Sequence, residues 1–248
     1  MEPAEYQRMH RLETNHWWFV SRRHLAETIL KQRLTPHPQR RILDVGCGTG
    51  GNLAWLSQWG RVYGLDLSAL PLSFARSHGN RLALASVLLL PFSAQTFGLI
   101  TAFDVLYHQW VTGDSQALAG FYRVLTPGGW LLITDSALPW LWSPHDRLYH
   151  SRQRYTRAEL ERKVRAAGFE PRLCTYSNSL LLPAIMAVRL LMRWLPLQQD
   201  VDMHALPRPL NNLLINIRRL ETGWIRRGGC WPAGSSLVCL AQKPAPGQ

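Results

Sequence analysis

Four glycines fall within six positions, Gly46-Cys47-Gly48-Thr49-Gly50-Gly51, directly after the β-rich run Arg41-Ile42-Leu43-Asp44-Val45. Glycine at that density serves a tight turn with positive φ, or a close approach of the backbone to another group, because a Cβ would clash there. The helix-like segment Asn52-Leu53-Ala54-Trp55-Leu56-Ser57-Gln58-Trp59 comes next, so the feature reads as strand, turn, helix. The alternation continues with R-V-Y-G-L-D ending at Asp66, a helix through Phe74 and Ala75, and R-L-A-L-A-S ending at Ser86, which completes a βαβαβ unit. G-L-I-T-A-F-D, a helix near Ser115 to Leu125, the Pro127-Gly128-Gly129 turn and W-L-L-I-T-D-S extend it to five strands. Their unbroken apolar runs suit a parallel sheet covered by helices on both faces.

Beyond that core, Thr156 opens a helix with Glu159 at capping-box spacing, and Gly168 closes it before the strand P-R-L-C-T-Y-S. The last strand is expected in S-S-L-V-C-L-A-Q, residues 235–242. The stretch between these two strands, 179–234, is far longer than an ordinary connection and must carry structure of its own. With 248 residues, 46% of them hydrophobic and 18% charged, the chain is expected to fold as one domain with an insertion or as one large single domain rather than as two catalytic domains.

The glycine turn fits two chemistries. As G-x-G-x-x-G it comprises Gly46, Gly48 and Gly51, with Asp66 ending the second strand 20 residues after Gly46, where a carboxylate binds a ribose diol. Asp44 separates the alternatives, since a carboxylate two residues before the first glycine repels a pyrophosphate but suits the ammonium of an amino-acid cofactor. S-adenosylmethionine has that ammonium. Gly46, Gly48 and Gly50, with Cys47 between them, would then let the backbone approach its methionyl and ribose parts.

On these residues the chain resembles the class I S-adenosylmethionine-dependent methyltransferases of the type 11 group. The likeness runs through I-L-D-V-G-C-G-T-G-G, Y-G-L-D-L-S, L-P-F at 90–92, F-D-V-L-Y-H at 103–108 and L-T-P-G-G-W-L-L-I at 125–133, covering roughly residues 40 to 136. Two flanking motifs are similar to a bacterial subgroup: H-W-W-F-x-x-R-R at His16 to Arg23, and H-D-x-x-x-H-x-R-x-R-Y-T at His145 to Thr156. The resemblance implies a Rossmann-like α/β fold with a seven-stranded, mostly parallel sheet of order 3-2-1-4-5-7-6 and an antiparallel last strand. It implies an N-terminal helical cap over 1–39, a core over 40–178 plus 235–243, and a helical insertion over 179–234. Cofactor contacts are expected from Asp44, Gly46, Cys47, Gly48, Gly50, Asp66, Leu67, Ser86, Val87 and Asp104, with Trp18 and Arg22 from the cap. Subgroup members are often associated with envelope glycans or lipids.

Two departures bear on the adenine site. The family commonly places Asp four residues before L-P-F, where this chain has Ser86, and Asp in F-D-L-I, where it has Gly98. Adenine contacts would rest on the Ser86 and Val87 backbone and on the Ser86 hydroxyl.

Several features keep two readings. Trp17-Trp18-Phe19 before Arg22-Arg23 is either a helix packed on the sheet or a lid whose arginines bind the methionyl carboxylate or an acceptor phosphate. His145, His150 and Asp146 follow the fifth strand at the edge where open α/β sheets bind ligands, and one of them is a candidate general base. Arg152, Arg154 and Arg157 are either a solvated face or a phosphate grip. In the insertion, Leu180 to Leu197 is apolar except for Pro183, Arg189 and Arg193. Leu210, Leu213, Leu214, Ile217, Leu220 and Trp224 then form a helical stripe, with Arg218, Arg219, Arg226 and Arg227 off it. That region is a subdomain packed on itself, an acceptor pocket, or a surface lying in lipid headgroups.

Charge sharpens the partner question. The net charge is +12, and residues 147–248 hold 16 basic and 6 acidic side chains against 12 and 10 in the rest. Arginines dominate, so an anionic membrane surface is a candidate partner. Nucleic acid is demoted, because no N/D-P-P-Y/F and no Pro-Cys pair is present. The four cysteines lack metal-ligand or disulfide spacing, and no signal-like apolar segment opens the chain, so reduced thiols, no metal and a cytoplasmic location, with attachment to the inner membrane face, are the expectation. The reading is therefore a methyltransferase acting on an amphiphilic small molecule, glycan or lipid-linked acceptor, by O-methylation. An RNA methyltransferase and a non-catalytic cofactor-binding subunit are the alternatives.

Overall fold

The computed structural model describes residues 3–79, 81–194 and 205–245, with the side chains of residues 145 and 192–194 outside that description. Two helices, α1 (Pro3–Leu12) and α2 (Trp17–Lys31), precede the first strand, β1 (Arg41–Val45). There follow α3 (Leu53–Leu56), β2 (Arg61–Asp66), α4 (Ala69–Ala75), β3 (Leu82–Leu84), β4 (Phe97–Phe103), α5 (Asp114–Val124) and β5 (Leu125–Ser136). The remainder comprises α6 (Pro144–Leu148), α7 (Arg157–Ala166), β6 (Glu170–Ser177), α8 (Leu182–Trp194), α9 (Arg208–Arg226) and β7 (Ser236–Gln242).

The seven strands form one sheet in the order β3-β2-β1-β4-β5-β7-β6, with β7 antiparallel to both its neighbours and the other pairings parallel. This is the Rossmann-like topology the motifs imply. Period-two alternation divides the strand residues between two cores. Ile42, Leu99, Leu132, Val238 and Leu240 face Leu25, Ala26, Ile29 and Leu30 of α2. Leu43, Ile100, Leu131, Ile133, Cys239 and Ala241 face Ala117, Leu118 and Phe121 of α5 and Leu160 and Val164 of α7. Apolar side chains on both faces account for the unbroken hydrophobic runs.

Local signals placed the helix ends well. Thr156 Oγ1 accepts the Glu159 amide at 3.2 Å, and Gly168 takes φ +93° where α7 stops. The C-terminal part of α2 is a core layer on the sheet, and its first turn reaches the cavity described below.

The insertion carries α8 and α9, and α9 is inside out. In α9 the buried side chains are Arg218, Glu221, Thr222 and Ile225. Most of the apolar stripe points outward, with Leu213 55%, Leu220 72% and Trp224 51% exposed. Arg218 lies off the apolar stripe and is buried, because Glu221 binds it and also accepts the amides of Asn178 at 2.6 Å and Ser179 at 2.7 Å where β6 ends. Polar capping of a strand end therefore takes the inward face of α9. The same helix is tied to α2 through Trp17 N, which donates to Asn211 Oδ1 at 2.8 Å, and Gln32 Nε2, which donates to the Arg226 carbonyl at 2.6 Å.

Candidate active site

The carboxyl ends of β1, β2 and β4 open into a cavity of about 1930 Å³. At its head the glycine turn runs through positive φ at Gly46 (+64°), Gly48 (+54°) and Gly50 (+91°). Their tasks differ. A Cβ on Gly46 would lie 2.6 Å from Val105 Cγ2 and one on Gly50 would lie 2.9 Å from Ala75 Cα, so both are needed for packing. Gly48 faces the cavity, where a Cβ would meet only the flexible end of Met9 at 3.3 Å. The expectation that Gly50 yields room to a cofactor is thus corrected: it yields room to α4.

Asp66 closes the turn. Its Oδ2 accepts the Gly48 amide and its Oδ1 the Ser68 amide, each at 2.9 Å, and the side chain lines the cavity beside Leu67. Burial raises its pKa above the ordinary carboxylate range, and the amide hydrogen bonds pull it back. Asp44 lies behind the turn rather than on the cavity wall, 1% exposed. Its Oδ1 accepts from Thr101 Oγ1 at 2.7 Å, while Oδ2 is buried with no hydrogen-bond partner. Burial pushes its pKa up to about 7, against the pull of Thr101 and the Arg22 charge. Ser86 and Val87 line the cavity, with Ser86 Oγ accepting the Leu88 amide at 3.2 Å. Gly98 starts β4 beside Arg40, five residues from the cavity-lining end of that strand, so its departure from the family pattern falls away from the site.

The cap meets the core through pairs no local pattern announced. Arg22 forms an ion pair with Asp104, which ends β4 at φ +57°, and lies 5.3 Å from the Phe103 ring centroid and 5.5 Å from that of Phe19. Burial raises the Asp104 pKa, and Arg22 opposes it. Both expected cofactor contacts thus bind each other in this structure. Glu13 Oε2 accepts from Thr49 Oγ1 at 2.5 Å, and its Oε1 lies 3.1 Å from His10 Nδ1 and 3.7 Å from His78 Nε2. Those three side chains are a donor set able to hold a metal ion, and they latch α1 onto the turn. Trp17 and Trp18 line the cavity.

On the far side the expected base candidates are reassigned. Asp146 Oδ1 pairs with Arg154 Nε at 2.7 Å and its Oδ2 accepts the Ser143 amide at 2.8 Å, so it is a buried brace absent from the cavity wall. His150, in a left-handed turn at φ +52°, faces Gln109 at 3.2 Å and does not line the cavity either. The backbone of His145 belongs to α6, and its side chain lies outside the described residues. The histidine on the wall near these segments is His108, whose pKa is pushed down to about 4 by burial and by His150. The post-core arginines do not make a phosphate grip: Arg154 binds Asp146, Arg157 binds Glu161 at 3.1 Å and Arg152 lies 3.7 Å from Asp114. Beyond them the wall is Trp140, Leu141 and Trp142 opposite Leu181, Ile185 and Arg189.

The strand order and the cavity over the glycine turn define the class I methyltransferase fold. Residues 43–133 match the Methyltransf_11 model, described as a methyltransferase domain, and that stretch of the chain belongs to this family. Phosphoethanolamine N-methyltransferase 3 of Arabidopsis thaliana is 33% identical over 54% of this chain and 29% of its own length. A malonyl-[acyl-carrier protein] O-methyltransferase of Enterobacter lignolyticus is 33% identical over 53% of this chain and 55% of its own. The chain thus spans about half or less of the curated relatives it matches. In fold it is similar to a chain from the complex of the Haloferax volcanii Trm112 methyltransferase activator with a methyltransferase, at TM-score 0.64 and 20% identity over 98% of this chain and 97% of that one. It is also similar to Haemonchus contortus phosphoethanolamine N-methyltransferase 2 in complex with S-adenosyl-L-methionine, at TM-score 0.59 and 18% identity over 89% of this chain and 52% of that one.

Proposed function

We propose that the protein transfers the methyl group of S-adenosylmethionine to an amphiphilic acceptor. The observation that carries this reading is the continuity of the cavity, which runs from Gly48 and Asp66 to an apolar wall built by Trp140, Leu141, Leu181 and Ile185. The cofactor fits the residues present. Gly48 leaves backbone open to a ligand, Asp66 offers remaining carboxylate lone pairs to a ribose, and Asp44 behind the turn is a carboxyl group whose charged form a nearby ammonium would favour. Ser86 and Val87 would border the adenine. When bound, the cofactor supplies an electrophilic methyl on a good leaving group, so the protein's task is alignment and exclusion of water. Trp17 and Trp18 from the cap and α8 from the insertion do the excluding.

For a hydroxyl acceptor, His108 is a wall histidine placed to take the proton; its lowered pKa keeps it neutral near pH 7 and makes it a weak base, so alignment carries most of the catalysis. Incubation with methyl-labelled cofactor and fractionated cell extract tests the proposal: label entering a lipid or glycan fraction is the expected result. Label in RNA, or in no fraction, would overturn it.

The exposed apolar side chains of α8, at the cavity mouth, and of α9 favour a second element of this reading, delivery of the acceptor from a bilayer surface. Met186, Val188, Leu190 and Leu191 on α8 and Leu213 and Leu220 on α9 are each at least 44% exposed. No helix among the described residues is long and apolar enough to cross a membrane, so contact would be peripheral. Sedimentation with anionic vesicles but not neutral ones at low salt is expected. Protein left in the supernatant with both would remove the membrane from the proposal.

A further inference from the structure

The insertion places a cation on the cavity wall. Leu181, Ile185 and Arg189 recur every four residues and line the cavity. A solvated arginine keeps its head in water and lays only its stem on apolar surface. Here Nη1 of Arg189 is buried and has no hydrogen-bond partner among the described residues.

Among the described residues no carboxylate forms an ion pair with it. The charges electrostatically coupled to Arg189 are Arg154 and Asp146, both in the segment after β5, and these two already bind each other at 2.7 Å. Arg154 also donates to the Ala137 carbonyl at 2.8 Å. Two other arginines of the cavity wall are engaged as well, Arg22 by Asp104 and Arg23 by the Glu13 carbonyl at 2.6 Å. A guanidinium nitrogen withdrawn from water without a partner is unfavourable, and a bound anion removes that cost. Its planar fork suits phosphate or carboxylate.

We propose that Arg189 anchors an anionic head group, phosphate or carboxylate, of an amphiphilic acceptor whose hydrocarbon part lies against Leu181, Ile185, Trp140 and Leu141. The inference rests on the reading of this cavity as the acceptor site of a methyltransferase. It defines the substrate class by charge as well as by apolar bulk. It also separates the two arginines that the sequence alone treats alike, since Arg189 turns inward while the side chain of Arg193 lies outside the described residues.

The test uses the whole protein saturated with S-adenosylhomocysteine and the fluorescence of the tryptophans on the cavity wall. Decyl phosphate, decyltrimethylammonium, decyl glucoside and inorganic phosphate are titrated below the critical micelle concentration. Decyl phosphate is expected to bind about tenfold or more tightly than the cationic and neutral probes, as a charge-assisted fork contact requires. Inorganic phosphate, lacking a tail, should leave the signal unchanged. Arg189→Gln should weaken decyl phosphate about tenfold and leave decyl glucoside within about twofold. Equal binding of the three amphiphiles, or an Arg189→Gln variant indistinguishable from wild type, overturns the anchor. Inorganic phosphate competing as well as decyl phosphate overturns the acceptor assignment in favour of a free-phosphate site. Calorimetry with S-adenosylhomocysteine keeps the two readings apart. Loss of binding by the wild type defeats the methyltransferase reading, whereas intact binding without anion preference defeats only the anchor.

Discussion

The two ends of the cavity are assembled by different rules. Around the glycine turn, many of the polar bonds are local or join adjacent strands: Asp66 accepts the amide of Ser68, two residues away, and that of Gly48 on the neighbouring strand's turn, and Ser86 accepts the amide of Leu88. Around α8, bonds reach across the chain, as Glu221 does to the amides of residues 178 and 179, or have no partner among the described residues, as at Arg189 Nη1. One end is a fixed cradle specified by backbone geometry. The other is a chamber whose shape and leftover charge depend on how distant elements meet, and it is the end able to vary with the acceptor.

The sharpest way to break this contrast is Asp146→Ala. If Asp146 is a brace, the change leaves the Arg154 guanidinium buried beside the Ala137 carbonyl without its carboxylate, and denaturant unfolding should show a loss of about 3–5 kcal/mol. A general base on the surface of a chamber would behave otherwise. Stability would hold and turnover alone would fall.

That case shows why the halves were unequally legible. The order of seven strands, the turn and Asp66 follow from hydrophobic period, glycine spacing and resemblance, all properties of short stretches. The Thr156 cap and Gly168 stop were readable for the same reason. The pairing of Arg22 with Asp104 joins residues 82 apart, and that of Glu13 with Thr49 joins residues 36 apart. Nothing in either neighbourhood encodes the partner. His150 is more instructive: H-D-x-x-x-H identifies a segment at the edge of the sheet but not the direction of each side chain, and the left-handed turn at His150 sends its ring toward Gln109. The stripe on α9 misled because amphipathicity reports two faces without saying which is inward. A buried Arg218–Glu221 pair that caps a strand reversed the usual answer.

A pH experiment probes the fixed cradle. In the native apo protein the Asp44 pKa is about 7, against 3.8 as its ordinary value, so between those limits the folded state holds a proton that the unfolded chain releases. Stability from this group is complete below the lower value and declines as pH rises toward the upper one, at up to about 1.4 kcal/mol per pH unit. Asp44→Asn should abolish that slope while keeping an acceptor for Thr101. Cofactor affinity runs the other way: a bound ammonium favours the carboxylate, so binding should release a proton and strengthen roughly tenfold from pH 6 to 8 in the wild type. Calorimetry in buffers of different ionisation enthalpy reads both effects. A pH-independent affinity would detach Asp44 from the cofactor.

The smallest effect is expected at His150, and its smallness is the point. His150→Asn removes the ring while keeping a side chain that tolerates the φ of +52° found there. The ring touches Gln109 and neighbours His108 and Trp110 at centroid distances of 6.0 and 6.4 Å, without reaching the cavity wall. Stability should therefore change by no more than about 0.5 kcal/mol, and turnover on the true acceptor by no more than about twofold, after correction for any shift in the His108 titration. The correction matters because His150 is one of the groups that lower the His108 pKa. Removing it should move the acid limb of the pH–rate profile slightly upward. A fall in turnover of a hundredfold or more with an unmoved acid limb would make His150 the base after all. It would require the turn at residues 149–151 to swing its ring into the chamber when the acceptor binds, and the chamber would then be shaped by its ligand to a degree the cradle is not.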